Sequence, residues 1–191
     1  VQRRGDLVTV AKQFVSAQEL LRDSFELGRR VAASKFHPTC LVGLWRGGAP
    51  VAIAVHEVLE YHGFKCDHAA VRTSAYTSMD QKGNHVRLHG LEYLTSNICA
   101  EDALLIVDDV WDSGATIDAF IAQLVRRCRQ NLPQQIRTAT VYYKPLSNRT
   151  KIRPDYCVRE TDKWLVFPHE LHDLTGAEIL EHKPVEGGFV L

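Results

Sequence analysis

The chain has 191 residues, 45% of them hydrophobic and 24% charged, with 12 glycines and 7 prolines. That length predicts one domain, and the composition excludes collagen-like, low-complexity and fully disordered chains. Lys plus Arg and Asp plus Glu both number 23, so a zero net charge gives no general electrostatic basis for binding nucleic acid. The longest apolar run, Ala49 to Val55, has seven residues, far short of the roughly 18 that would span a bilayer. Arg3 and Arg4 have no long apolar segment behind them, so no signal peptide is expected. The five cysteines, Cys40, Cys66, Cys99, Cys128 and Cys157, include no C-x-x-C pair, which excludes a zinc ribbon or a thioredoxin motif. Four of them sit among apolar or strand-like neighbours and read as small buried hydrophobes. Reduced thiols point to the cytoplasm.

Residues 12–34 carry Phe14, Val15, Leu20, Leu21, Phe25, Leu27 and Val31 at helical spacing. Cys40 to Trp45 is a short apolar run expected as a buried strand. It ends in Arg46-Gly47-Gly48, and Pro50 opens a predicted helix to about Tyr61, with Gly63 just beyond it. A second strand is expected from Asp67 to Arg72. Thr73 to Asn84 then forms a polar stretch without apolar periodicity, of the length that lids and binding loops have.

Leu104 to Val107 reads as the third strand and runs into Asp108-Asp109-Val110-Trp111-Asp112-Ser113-Gly114-Ala115-Thr116. Ile117, Phe120, Ile121, Leu124, Val125 and Cys128 then form a continuous stripe on one helix face. Arg126, Arg127 and Arg129 lie at its C-terminal end, where the helix dipole favours cations. Thr138 to Tyr143 alternates like a fourth strand, and Tyr156 to Val158 and Trp164 to Phe167 are two further strand candidates. Strands alternating with helices predict an α/β fold with a central, mostly parallel sheet.

The chemistry concentrates after Val107. In an open α/β sheet, ligands bind beyond the carboxyl ends of the strands. Ser113 to Thr116 offers two hydroxyls, a glycine and a run of N–H groups at a helix N-terminus, which is a cradle for phosphate. Adjacent carboxylates such as Asp108 and Asp109 repel each other unless sugar hydroxyls or a cation relieve them. A phosphate cup beside hydroxyl acceptors describes a ribose 5-phosphate site. The plainer alternative is an ordinary strand-to-helix turn capped by Ser113 or Asp112. Two features weigh against it: the apolar strand leading directly into the acids, and the second glycine-rich turn, Arg46-Gly47-Gly48, at another strand end.

The segment Leu105 to Thr116 resembles the phosphoribosyl pyrophosphate signature of type I phosphoribosyltransferases. Leu44 to Gly48 is similar to the pyrophosphate loop of the 6-oxopurine branch, the hypoxanthine, guanine and xanthine enzymes. Val71 to Tyr76 is similar to the start of their mobile loop, Val141 to Pro145 to their purine-reading lysine segment, and Asp162 to Leu165 to their base-stacking segment. The likeness spans roughly residues 40 to 170.

That resemblance implies a type I phosphoribosyltransferase-like fold in one domain over residues 1–191, with a core at about 36–145 and a small hood from the N-terminal segment and about 146–191. It implies magnesium as cofactor and phosphoribosyl pyrophosphate and a purine base as partners, in a cytoplasmic homo-oligomer without nucleic-acid or membrane partners. Asp112 would be the catalytic acid/base at purine N7. Asp108 and Asp109 would hold the ribose hydroxyls, Asp109 and Glu170 the metal. Ser113, Gly114, Ala115 and Thr116 would bind the 5-phosphate. Arg46, Gly47 and Tyr76 would meet the pyrophosphate, with a cis peptide at Trp45–Arg46. Lys144 would read the 6-oxo group, Trp164 would stack on the purine, and the Leu165 backbone would face its exocyclic edge.

Three positions depart from the family pattern: Glu170 in place of Asp, Ser113 in place of Thr, and Ala75 where Ser commonly precedes the loop tyrosine. Ser113 keeps the hydroxyl, while Ala75 leaves only Ser74 to complete a Ser–Tyr pair. Two other functions compete with this reading: a phosphoribosyl-pyrophosphate-binding regulator, and a transferase for another base. His56-Glu57-Val58-Leu59-Glu60 fails the zincin pattern at position 60. His169 and His172 read as surface histidines, because no third metal ligand lies nearby in sequence.

Overall fold

A computed structural model describes residues 12–76 and 85–183. Along the chain run β1 (Lys12–Phe14), α1 (Ala17–Ala32), β2 (Cys40–Trp45), α2 (Gly48–Tyr61), β3 (Asp67–Tyr76) and β4 (His85–His89). These are followed by α3 (Leu91–Asn97), β5 (Ala103–Trp111), α4 (Ala115–Cys128), β6 (Gln135–Tyr143), β7 (Tyr156–Glu160), β8 (Trp164–Val166) and α5 (Gly176–His182).

Six strands form one sheet in the order β4-β3-β2-β5-β6-β7, parallel throughout except where β4 returns antiparallel to β3. The two middle strands, β2 and β5, are apolar along their whole shared register because helices cover both faces of the sheet. Leu41, Leu105 and Val107 pack with Leu27, Val51, Val55 and Leu59 of α1 and α2. On the other face, Val42, Leu44, Leu104 and Ile106 pack with Leu91, Leu94, Ile117, Phe120 and Leu124 of α3 and α4. Strands β1 and β8 form a separate parallel pair, with Gln13 opposite Leu165. Among the described residues, no helix is long and apolar enough to cross a membrane.

The expected helix over 12–34 is in fact a strand and a shorter helix. Residues 12–14 pair with β8, and the Val15 N–H donates to the Val166 carbonyl. Ser16 then starts α1, its hydroxyl accepting from the Glu19 N–H at 3.1 Å. Apolar spacing alone cannot tell a core-facing helix turn from a short edge strand, and the distant β8 decided the matter.

The polar stretch from Thr73 opens as strand rather than loop, since β3 continues to Tyr76. His85–His89 and Leu91–Asn97, an edge strand and a short helix, had no clear pattern in the sequence. Residues 77–84, the rest of the expected lid, lie outside the described residues. β5 also runs on to Trp111, so Asp108 and Asp109 belong to the strand itself. The cysteines correct a further expectation: Cys40 and Cys128 are buried, Cys66 and Cys157 half-buried and Cys99 exposed, and all five are free thiols.

Candidate active site

β2 and β5 are parallel neighbours, so their C-terminal ends open side by side, and β6 lies next to β5. Arg46-Gly47, Asp109 to Asp112 and Lys144 therefore meet at one edge of the sheet. The β8 strand and the loop after it roof the same space with Trp164, Leu165, Phe167, His169 and Glu170. Together they enclose a cavity of about 670 Å³.

The floor is tightly built. The peptide bond between Trp45 and Arg46 is cis. Gly47 follows with no room for a Cβ, because the Asp109 carboxylate occupies that position. Gly48 is as confined: a Cβ would lie 2.6 Å from the Val107 carbonyl oxygen and 2.9 Å from Asp108 Oδ1. Any side chain at 47 or 48 would push the loop off the two acids.

Asp108 Oδ1 accepts from the Asp109 N–H at 3.0 Å, and Asp109 Oδ1 from the Val110 N–H at 2.8 Å. Burial, and then the charge of Asp109, push the Asp108 carboxyl well above the usual carboxylate range. Burial also raises Asp109, to about 6, with the negative charge of Glu170 adding to the effect. Confined carboxylates that resist ionisation are relieved by a cation or by hydroxyl donors.

Asp109 and Glu170 line the same cavity, and Glu170 Oε2 accepts from the Phe167 N–H at 3.0 Å, which fixes the carboxylate on its loop. Two hard oxygen donors beside an open volume suit magnesium, which is commonly held by one or two carboxylates and completed by substrate phosphates and water. No group of three or more His, Cys, Asp or Glu side chains arranged for a metal occurs among the described residues.

Lys144 is 8% exposed at the end of β6, and its Nζ donates to Asp112 Oδ2 at 3.2 Å. The same Nζ stands 5.8 Å from the centroid of the Trp164 ring. Trp164 is 56% exposed, so it is a wall of the cavity and not a core aromatic.

Eight of the expected residues therefore line one cavity: Arg46, Gly47, Asp109, Asp112, Lys144, Trp164, Leu165 and Glu170. Asp108 lies behind Gly48. Ser113, Gly114, Ala115 and Thr116 continue from Asp112 around the N-terminus of α4, outside the cavity lining, and the Ala115 N–H donates to Ser113 Oγ at 3.3 Å. Tyr76 closes β3, and its side chain is not among those described.

Several lining residues had no individual role assigned in the sequence, Arg72 and Thr73 among them, which fell in the segment similar to the start of a mobile loop. Arg72 and Thr73 reach the cavity because β3 runs parallel to β2, which puts Arg72 opposite Trp45. His169 is exposed, as expected of a surface histidine, but it also lines the cavity. Its Nε2 lies 3.8 Å from Asp109 Oδ2, its ring stacks on Phe167, and burial lowers its pKa. Only its place one residue before Glu170 hinted at the site.

A glycine turn, an acidic strand end and a helix N-terminus meet at the carboxyl edge of an α/β sheet, where such sheets bind their ligands. A profile of the phosphoribosyl transferase domain family matches residues 11–174, and the chain belongs to that family of phosphoribosyltransferases. The fold is similar to that of a purine phosphoribosyltransferase from Pyrococcus horikoshii, with a TM-score of 0.64 and 24% identity over 86% of this chain and 97% of that one. It is also similar to a hypothetical protein from Neisseria gonorrhoeae with bound ppGpp, with a TM-score of 0.73 and 20% identity over 91% and 94% of the two chains. A third similar structure is the Helicobacter pylori xanthine-guanine-hypoxanthine phosphoribosyltransferase, with a TM-score of 0.62 and 20% identity over 82% and 92%. Comparison with curated proteins gives no match.

Proposed function

We propose that the protein transfers the 5-phosphoribosyl group from phosphoribosyl pyrophosphate to a 6-oxopurine, as a purine salvage enzyme. The products are the nucleoside 5'-monophosphate and pyrophosphate. The observation that carries this reading is the Lys144–Asp112 pair beside the Trp164 face. In a 6-oxopurine, O6 and N7 are neighbours on one edge of the ring. A buried ammonium and a carboxylate 3.2 Å apart match that edge, the ammonium donating to O6 and the carboxylate facing N7.

In this reading the bond from ribose C1 to the pyrophosphate oxygen breaks, and its electron pair leaves with pyrophosphate. The base N9 forms the new bond to C1, and Asp112 takes the proton from N7 as positive charge builds on the ring. Arg46 and Arg72 offset the negative charge that develops on the leaving group. Asp108 and Asp109 accept from the ribose hydroxyls, and Ser113 to Thr116 hold the 5-phosphate. Bound magnesium, held by Asp109 and Glu170, would supply further charge neutralisation at the pyrophosphate. The reaction is assigned to the cytoplasm, on the support of the free thiols. A homo-oligomer belongs to the same reading, supported by Ile53 and Tyr61, which are exposed on α2.

The test is a turnover screen of hypoxanthine, guanine, xanthine, adenine and uracil with phosphoribosyl pyrophosphate and magnesium. Turnover of at least one 6-oxopurine is expected, with negligible rate on adenine. Use of adenine or uracil without any 6-oxopurine activity overturns the base assignment. Binding of phosphoribosyl pyrophosphate without turnover of any base favours a regulator. Adding ppGpp as a competitor tests whether the ligand named for the Neisseria protein also enters this site.

A further inference from the structure

The proposed phosphate loop, Asp112 to Thr116, is not held by its own strand and helix alone. Gly114 sits at φ +80°, and a Cβ there would lie 2.7 Å from Trp111 Nε1 and 2.8 Å from both Oγ1 and Cγ2 of Thr150. Two groups thus press on the middle of the loop: an indole buried to 1% exposure and a threonine from the segment after β6. Both are bonded to the same atom. Asn148 Oδ1 accepts from Trp111 Nε1 at 3.3 Å, from the Thr150 N–H at 3.0 Å and from Thr150 Oγ1 at 2.8 Å.

The other end of the Asn148 amide is equally occupied. Its Nδ2 donates to the Tyr143 hydroxyl at 3.1 Å and to the Ile152 carbonyl at 2.8 Å. Turning the amide over would set NH₂ against the Trp111 and Thr150 N–H groups, so the hydrogen-bond network allows one orientation. One residue along, the Arg149 N–H donates to the Ser113 carbonyl at 3.0 Å. Asn148 therefore ties the end of β5, the end of β6 and the segment 148–152 to the underside of the phosphate loop.

We propose that Asn148 is a positioning residue for the 5-phosphate site: it presets the Ser113–Thr116 loop by fixing Trp111 and Thr150 against Gly114. It touches no substrate itself. A loop whose N–H groups are already aimed binds an anion without the cost of ordering them at the moment of binding. A loop released on its underside loses phosphate affinity while the base slot, built by Lys144 and Trp164, stays intact. The inference rests on the phosphoribosyl pyrophosphate reading above.

The experiment compares wild type, Asn148→Ala, Asn148→Asp and Thr150→Val by calorimetric titration with phosphoribosyl pyrophosphate, and by the KM for base. Asn148→Ala should weaken phosphoribosyl pyrophosphate binding by about tenfold or more, as expected when several hydrogen bonds worth about two- to tenfold each are lost. The KM for base should change less than twofold, on the order of a surface substitution. Asn148→Asp keeps the acceptor for Trp111 and Thr150 and should recover part of the affinity. Thr150→Val removes one hydroxyl bond, should cost about two- to fivefold, and serves as the test if Asn148→Ala does not fold. Unchanged phosphoribosyl pyrophosphate affinity in a folded variant overturns the proposal. So does an equal loss for phosphoribosyl pyrophosphate and base, which would mark Asn148 as merely structural. A wild type that turns over or binds neither ligand removes the functional reading instead.

Discussion

Lys144 Nζ lies 3.2 Å from Asp112 Oδ2, although the two residues are 32 positions apart in the chain. Parallel pairing of β5 and β6 brings them together: Trp111 stands opposite Tyr143 in the register, so each strand delivers its next residue to the same edge. The Lys144 N–H donates to the Trp111 carbonyl at 2.9 Å, which extends the ladder by one bond past the last paired residues.

Replacing Asp112 by Asn keeps the size and an acceptor for Lys144 but removes the proton acceptor. Turnover should fall by about 100- to 10,000-fold, the usual contribution of a general acid/base. Affinity for phosphoribosyl pyrophosphate should fall much less. Steady-state kinetics paired with direct titration separates the two, and a parallel loss of both would make Asp112 a binding residue.

A lysine offers three donors and no acceptor, so it satisfies a 6-oxo group and opposes a 6-amino group. A site built around such a contact rejects the wrong partner by about 10,000-fold. Lys144→Ala should therefore reduce 6-oxopurine use far more than phosphoribosyl pyrophosphate binding. Specificity constants for hypoxanthine, guanine, xanthine and adenine check this, and wild-type preference for adenine would refute it.

Thr116→Val preserves shape in the first turn of α4 and deletes one hydroxyl. A lost hydrogen bond to a charged group costs about 1.5–3 kcal/mol, roughly ten- to over a hundredfold. The KM for phosphoribosyl pyrophosphate should rise accordingly, with the KM for base little changed. An unaltered value would remove Thr116 from the phosphate site.

Glu178 on α5 pairs with Lys12 of β1 at 2.8 Å and closes the capping box of its own helix with Thr175. The Lys12 bond first, and then the Thr175 N–H, lower its pKa from 4.5 to about 2. A depressed folded-state pKa stabilises the fold above the unfolded value and is lost as pH falls toward the folded one. Glu178→Gln should therefore lower the melting temperature at neutral pH. The gap to wild type should shrink between pH of about 4.5 and about 2. A gap that stays constant through that range would show the charge to be irrelevant.

Local sequence was enough for much of the core. Cys40–Trp45 and Leu104–Val107 are short apolar runs, and the burial of Cys40–Leu44 and Leu104–Val107 follows from that pattern. The stripe from Ile117 to Cys128 identified α4, because a helix sheltering a sheet needs one continuous apolar face. The acids and hydroxyls after Val107 were also legible, since strand end, acidic pair and helix start are contiguous in the chain.

Other features depend on partners far away in sequence. Lys12–Phe14 is a strand only because Trp164–Val166 lies beside it, and residues 12–34 otherwise carry the spacing of a helix. Tyr76 and His85 stand opposite each other in the antiparallel pair of β3 and β4, and no period in the sequence announces that pairing. His169, Arg72 and Asn148 gain their positions from strand register and loop packing, and no local pattern gave any of them its role. A pattern of side chains records which face of an element prefers to be buried, and so the sequence by itself determined the strands, the helix stripe and the chemistry of the loop after β5. Which strand ends converge, and which hydrogen bonds close across more than a hundred residues, are long-range events. Tertiary structure alone decided those.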